Sequence, residues 1–168
     1  MLEQISFLSK SKEIHTDNGV AREDRVALAS ELSETLANTY LLYLKTQNFH
    51  WNVVGPMFYS VHRLTEAQYT DMGKAIDTIA ERIRAIGFPA PGSFEQFKSI
   101  AKVEEESGHP STEVMIRQLA EDNELCSRLL RKGVEEAEKV DDVKTADLLT
   151  ERIGQHEENT WMLRALIS

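Results

Sequence analysis

The sequence predicts an all-α fold, a four-helix bundle with one long crossover that carries a short extra helix between helices two and three. Apolar residues recur at three- and four-residue spacing through four long stretches, as amphipathic helices require. No stretch alternates apolar and polar residues as a half-buried strand does. The second and third stretches are joined by a link of about twenty residues, far longer than a hairpin turn, which lets those two helices run parallel.

Taken in order, residues 1–21 lack sustained periodicity and read as a flexible N-terminal arm, with residues 22–168 forming the bundle domain. Lys10, Lys12 and Arg22 lie in or beside the arm, but Glu3, Glu13 and Asp17 offset them, unlike the like-charge block of a nucleic-acid-binding tail. The first helix spans Arg22 to about Trp51, with Val26, Ala29, Leu32, Leu36, Tyr40, Tyr43 and Gln47 on one stripe, and Glu23 and Asp24 in its first turn. Gly55-Pro56 stops it and seats a second helix from about Met57 to Ile86, which ends at Gly87 before Pro89 and Pro91. In the link, Ser93 and Gln96 fit a capping box for a short helix from Ser93 to Ala101. The third helix begins near Ser111 or Thr112, carries Met115, Leu119, Asp122, Cys126 and Leu129, and fades into the acidic run from Glu135 to Asp142. The fourth runs from about Lys144 to Ile167, with Leu149, Ile153, His156, Thr160, Leu163 and Ile167 on its stripe.

With 168 residues, 41% apolar and 28% charged, the chain is long enough for one domain with a real core. A net charge of −9 disfavours nucleic-acid binding through the body of the protein and favours the collection of cations. The N-terminus has no basic region followed by an apolar run, and nowhere do about 18 apolar residues follow one another, so a cytoplasmic protein without membrane contact is expected. The single cysteine, Cys126, excludes an internal disulfide and a thiolate-cluster metal site, and reads as core filling.

The chemistry concentrates between Asn48 and Glu81. His62 and Glu66, and again Asp77 and Glu81, are i,i+4 pairs on the second helix, and His50 precedes that helix across the Gly-Pro turn. Mixed histidine and carboxylate suits a divalent transition metal such as iron, manganese or zinc. His62 and Asp77 are 15 residues apart; at about 1.5 Å per residue the two pairs lie roughly 22 Å apart, too far to share one ion. On a helical wheel with His62 at zero, Val61, Leu64, Met72, Ala75, Ile79, Ile83 and Ile86 cluster between roughly 200° and 300°, the core face. Glu66, Asp77 and Glu81 fall near roughly 40°, 60° and 100° and point away from that core.

An in-bundle metal site is disfavoured, because the one Glu-x-x-His, Glu106 to His109, lies in a Gly-Pro loop. The outward strip of the second helix holds Thr70, Gly73 and Ala80, small enough for another helix to approach. If two copies cross antiparallel with a two-fold axis near Asp71–Gly73, the His62/Glu66 pair of one chain meets the Asp77/Glu81 pair of the other. The competing reading is an ordinary solvated face, with Asp77 and Glu81 interacting with Arg84 or Arg63.

At these residues the sequence resembles the Dps family, the DNA-binding proteins from starved cells, a group of ferritin-like mini-ferritins. The resemblance is carried by K-T-Q-N-F-H-W-N-V-V-G-P (45–56), V-H-R-L-T-E (61–66), D-T-I-A-E-R-I-R-A-I-G (77–87) and E-E-N-T-W-M-L-R-A (157–165). It implies a dodecameric shell built from two-fold dimers, with di-iron ferroxidase centres in which His50, His62 and Glu66 of one chain face Asp77 and Glu81 of its neighbour. The family usually has aspartate where Glu66 stands, which bears on how the second iron is held. Trp51 and Trp161 match family tryptophans near the centre and read as packing residues, with radical quenching as the alternative. Asp141, Asp142 and Asp147 resemble an iron-admitting pore at a three-fold axis, against the reading of a solvated acidic turn. His156 reads as a satisfied core histidine.

The implied activity is oxidation of Fe(II) to Fe(III), preferentially by hydrogen peroxide, with ferric mineral stored in the shell and DNA thereby protected; zinc or manganese are possible competitors. The alternative is a nucleoid-compacting protein with direct DNA contact. The offset charges of the arm and a fourth helix running nearly to the last residue argue against it.

Overall fold

A computed structural model describes residues 13–168; residues 1–12 of the sequence-derived arm lie outside the described residues. The chain forms α1 (Arg22–Asn52), α2 (Phe58–Ala85), the short α3 (Phe94–Ile100), α4 (Thr112–Lys139) and α5 (Val143–Ala165), with no strand among the described residues. α1 pairs with α2 and α4 with α5 as the two extensive hairpin contacts, and α3 lies against α1.

Cross-helix bonds fix the directions. Glu31 meets Lys132, Lys45 meets Asp122 and Thr112 donates to the Val54 carbonyl, so α1 and α4 run antiparallel. Asp71 meets Arg152 and Arg82 meets Asp142, so α2 and α5 are antiparallel as well. α2 and α4 are therefore parallel, as the long crossover predicts.

The stops and starts are local chemistry. Gly87 has φ of +105° and its amide bonds back to the Arg84 carbonyl, a left-handed turn that a side chain would strain. A Cβ there would stand 2.8 Å from the Ile14 carbonyl oxygen, because the Ile14 amide donates to the Gly87 carbonyl and ties residues 13–20 to this corner. Arg22 and Glu13 add an ion pair at 2.6 Å. Ser93 and Gln96 make the capping box at α3. The acidic stretch after Glu135 does not fade: α4 continues to Lys139, with Ala137 fully buried and Lys139 paired to Glu136. Gly133 admits the Leu149 side chain so closely that a Cβ would lie 2.8 Å from it, which sets the α4–α5 spacing.

The core has two apolar halves. One gathers Leu28, Leu32, Ile79, Ile83, Leu130 and Leu149; the other gathers Leu42, Phe49, Met72, Ile116, Leu119 and Leu163. Between them lies a buried polar layer. His156 Nδ1 meets Asn123 Oδ1 at 2.8 Å, Asn159 donates to the same oxygen, Lys45 pairs with Asp122, and the Arg152 guanidinium forks onto Asp71. Most buried polar groups are partnered, and here helices contribute to one another's satisfaction, with the Arg152 Nε left without a partner among the described residues.

Candidate metal centre

The corner between α1 and α2 brings the two histidines together. Val53 leaves α1 in extended backbone, Gly55 turns with φ of +94°, and α2 begins at Phe58. The last turn of α1 thus faces the first turn of α2. His50 Nδ1 lies 2.8 Å from the His62 carbonyl oxygen, and His62 Nδ1 lies 2.9 Å from the His50 carbonyl oxygen. A carbonyl only accepts, so each Nδ1 donates, and in the neutral ring each Nε2 keeps its lone pair for a metal. This reciprocal clasp supplies the outer hydrogen bond that metal-binding histidines generally have.

The rings stack face to face, with centroids 3.8 Å apart and planes inclined by 16°. Lone pairs lie in the ring planes, and planes this nearly parallel do not meet within the length of a metal–nitrogen bond, about 2 Å. One ion cannot therefore sit well on both nitrogens; this geometry can offer each nitrogen to a separate ion, or one nitrogen to a single ion. Phe58 stacks on the other side of His62 and Tyr69 meets His50 edge-on. Thr65, whose hydroxyl bonds the Val61 carbonyl, closes the inner side.

The carboxylates are distributed as the wheel predicts. Val61, Met72, Ala75, Ile79, Ile83 and Ile86 are buried, whereas Asp77 and Glu81 are exposed and their side chains make no hydrogen bond or ion pair with any described residue. Glu66 is half-buried and salt-bridged to Arg63 at 2.6 Å. Arg63 thus engages Glu66, not Asp77 or Glu81. Among the described residues, no three His, Cys, Asp or Glu side chains gather closely enough to hold a metal ion. One chain offers His50, His62 and Glu66 at one end of α2 and Asp77 and Glu81 farther along the helix. Thr70 and Gly73 between them are exposed, and a Cβ on Gly73 would make only ordinary contact, 3.6 Å from the Tyr43 ring, so nothing within the chain demands glycine there.

Trp51 and Trp161 are 62% and 66% exposed and fill no part of this chain's own core. The acidic turn separates its three aspartates. Asp142 is 3% exposed and holds the turn together: it caps α5 through the Thr145 amide, accepts from the Thr145 hydroxyl and receives a two-pronged bond from Arg82. Burial pushes its carboxyl up, but Arg82 and the Thr145 donors outweigh that and hold it below the usual carboxylate range. Asp141 and Asp147 stay at the surface, beside Glu138 and the exposed Val143. His156, 1% exposed, is pushed down to about 3 by burial, with Arg152 adding to the shift, and is neutral at physiological pH. Cys126 is buried and its thiol is pushed up to about 12 by the same cause, so the free thiol is unreactive.

Sequence reasoning missed the Arg82–Asp142 and Arg152–Asp71 bonds, because partners sixty or more residues apart leave no periodic signal. A sign was available: Asp71, Arg82 and Arg152 are charges close to the edges of otherwise apolar stripes, where a partner is needed.

An all-α bundle with a long crossover and a histidine pair at the α1–α2 corner has the architecture of a ferritin-like helix-bundle protein, and residues 29–168 match the ferritin-like domain family. The chain belongs to the Dps family of these proteins. It is 36% identical to DNA protection during starvation protein 2 of Bacillus anthracis, over 82% of this chain and 94% of that one. It is 41% identical to an uncharacterized low temperature-induced protein of Nostoc, over 89% of this chain and 84% of that one. The crystal structure of a Dps protein from Bacillus brevis superposes with a TM-score of 0.84 at 32% identity, covering 87% of this chain and 98% of that one. A Vibrio cholerae Dps structure, described as a member of a broad superfamily of ferritin-like diiron-carboxylate proteins, superposes with a TM-score of 0.87 at 28% identity over 92% of this chain and 98% of that one. No helix among the described residues is long and apolar enough to cross a membrane.

Proposed function

We propose that this protein oxidises Fe(II) to Fe(III) with hydrogen peroxide at sites shared by two copies of the chain, and keeps the ferric product in a dodecameric shell. The observation that carries the reading is the reciprocal clasp of His50 and His62, which frees two Nε2 donors while Asp77 and Glu81 remain unengaged farther along α2. Two α2 helices crossing antiparallel near Asp71–Gly73 bring each histidine pair to the other chain's carboxylates. The absence of any three-ligand cluster within the described residues agrees with a site completed by the second copy.

Iron is the substrate. Imidazole nitrogen holds the ferrous ion, and the hard oxygens of Asp77, Glu81 and Glu66 favour the ferric product. Two Fe(II) give one electron each to one peroxide, which with two protons becomes two waters, so no hydroxyl radical is released. The stacked rings support this stoichiometry, since they suit one ion per histidine. Glu66 reaches the metal only when it leaves Arg63, which gives the second ion a charge-compensated and exchangeable ligand. Asp141 and Asp147, not the latched Asp142, are the carboxylates available to draw cations toward the shell.

Removing Fe(II) by oxidation before it meets peroxide in solution protects DNA without contact, in keeping with the net charge of −9. Stopped-flow oxidation of Fe(II) by peroxide and by dioxygen tests the reading, with wild type and a His62→Ala/Asp77→Ala variant. Peroxide is expected to be the faster oxidant and the variant to lose most of the rate. Unchanged rates in the variant refute the shared site, and a monomer that binds two metals per chain tightly refutes its sharing.

A further inference from the structure

The interior holds a second pair of metal-type donors, separate from His50 and His62. Cys126 and His156 line one cavity between α1, α4 and α5, about 10 Å³ in volume, room for a single water-sized sphere. Leu129, Leu130, Thr35, Asn38 and Thr39 complete its wall. The side chains of Asn38 and Thr39 are spent. Asn38 accepts from the Lys102 and Val103 amides and donates to the Glu34 carbonyl, and Thr39 donates to the Thr35 carbonyl. Two deep-lying donors are not spent. The Cys126 thiol, in a residue 3% exposed, makes no hydrogen bond with any described residue. The His156 ring, in a residue 1% exposed, uses only Nδ1. Its protonation follows from its partner. The Asn123 amide nitrogen donates to the Leu119 carbonyl, which turns the amide oxygen toward His156. That oxygen only accepts, so Nδ1 donates, and the ring, held down to about 3, is neutral. Nε2 therefore keeps its lone pair, and the bond from Asn123 orients the ring as an outer partner orients a metal-binding histidine.

We propose that the Cys126 sulfur and His156 Nε2 bind one Cu(I) ion per chain inside this cavity. The inference does not depend on the ferroxidase reading above. Thiolate sulfur selects soft ions, Cu(I) among them. The number of donors points the same way. Zinc in a structural site takes four ligands, and no three His, Cys, Asp or Glu side chains gather among the described residues; two donors suffice for a monovalent ion with a filled d shell. Charge decides between valences. One thiolate, one neutral imidazole and Cu(I) sum to zero, which an enclosure walled by Leu129 and Leu130 tolerates. A divalent ion there leaves a net positive charge buried near the Arg152 guanidinium, whose field already acts on His156. Binding replaces one proton by one ion: the S–H bond breaks, the S–Cu bond forms, the proton leaves to water, and no electron moves. Burial keeps the free thiol protonated, but a coordinated thiol gives up its proton outright. Of the lining residues only Thr35 and Leu129 reach the surface, so the ion enters past them.

The test uses the assembled protein, reduced and free of oxygen, with Zn(II) in excess to occupy the nitrogen and carboxylate donors at the α1–α2 corner. Cu(I) is supplied as its coloured bicinchoninate complex, and loss of the colour reports transfer to wild type, Cys126→Ser and His156→Gln. X-ray absorption at the copper edge is read on the loaded wild type, so the test stands even where a variant fails to fold. The site predicts one Cu(I) per chain, bound to one sulfur and one nitrogen, with a thiolate-to-copper charge-transfer band. Each variant should weaken binding by roughly 100-fold or more, since even the loss of a ligand's outer hydrogen bond costs about 10–100-fold. No uptake by the wild type overturns the site and leaves the cavity to a water molecule. Copper without a sulfur neighbour, or equal uptake by Cys126→Ser, overturns it as well. None of these outcomes bears on iron oxidation, which stopped-flow measurement tests separately.

Discussion

Replacing Asp142 by alanine removes three interactions at once. The α5 N-cap goes, at about 1 kcal/mol. The Arg82 guanidinium, whose side chain is 16% exposed, loses its two-pronged carboxylate, and breaking such a pair from one side costs about 3 kcal/mol at the lower end of the usual range. The Thr145 hydroxyl, in a fully buried residue, loses its acceptor as well. A loss of about 4 kcal/mol corresponds to a melting point lower by roughly 8–16 °C for a chain of this size. Thermal denaturation followed by circular dichroism at one fixed protein concentration measures it, since assembly shifts apparent stability by mass action. Asp142→Asn keeps the cap but not the charge and should fall between the two. Asp147→Ala, at a carboxylate 70% exposed and paired only with Lys144, should stay within about 0.5 kcal/mol of wild type. Because the folded state holds Asp142 below its usual range, its contribution is present above the unfolded carboxylate value and disappears as the pH falls through the folded one. The Asp142→Ala deficit should therefore narrow in strong acid. An Asp142→Ala protein that melts with Asp147→Ala refutes the latch.

Three further outcomes follow from burial and backbone. His156 is held down to about 3 against an unfolded value near 6.5, so stability is full above that value and declines as the pH falls toward 3, by up to one proton's worth, about 1.4 kcal/mol per pH unit; His156→Gln should flatten that slope in denaturant titrations. Both amide atoms of Gln68 are buried without a partner, so Gln68→Met should leave stability unchanged or raise it by about 1 kcal/mol in the same titrations, and a clear loss would mean the amide is satisfied in solution. Gly87→Ala, at φ of +105° and against the Ile14 carbonyl, should cost about 2 kcal/mol and make residues 13–20 quicker to proteolyse than in wild type.

The helices were legible because their signals are local and periodic. The core face of α2 was read correctly from Val61 to Ile86, and the capping box at Ser93 marked α3 to within a residue. The end of α4 was misjudged. The acidic run from Glu135 to Asp142 reads as the helix fading out, but Ala137 faces the core and an i,i+3 ion pair supports the last turn to Lys139. The histidine spacing suggested candidate ligands, yet not the clasp, which depends on where the Gly55 turn sets two backbone carbonyls. The cavity shared by Cys126 and His156 was equally hidden. Each sat on the predicted stripe of its own helix as an ordinary core residue, and the space between them arises only when α1, α4 and α5 meet.

The polar layer through the middle of the bundle acts as an index mark. Leucine and isoleucine in the two apolar halves are nearly interchangeable hydrocarbon, and would tolerate one helix sliding past another by a turn. Such a slip moves Asn123 by about 5.4 Å, strands His156, and parts Lys45 from Asp122 and Arg152 from Asp71. Each orphaned group then costs about 1–3 kcal/mol or more. The four helices therefore have one longitudinal setting. That setting holds His50, on α1, level with His62, on α2, so the clasp between the two histidines is written into the interior of the bundle.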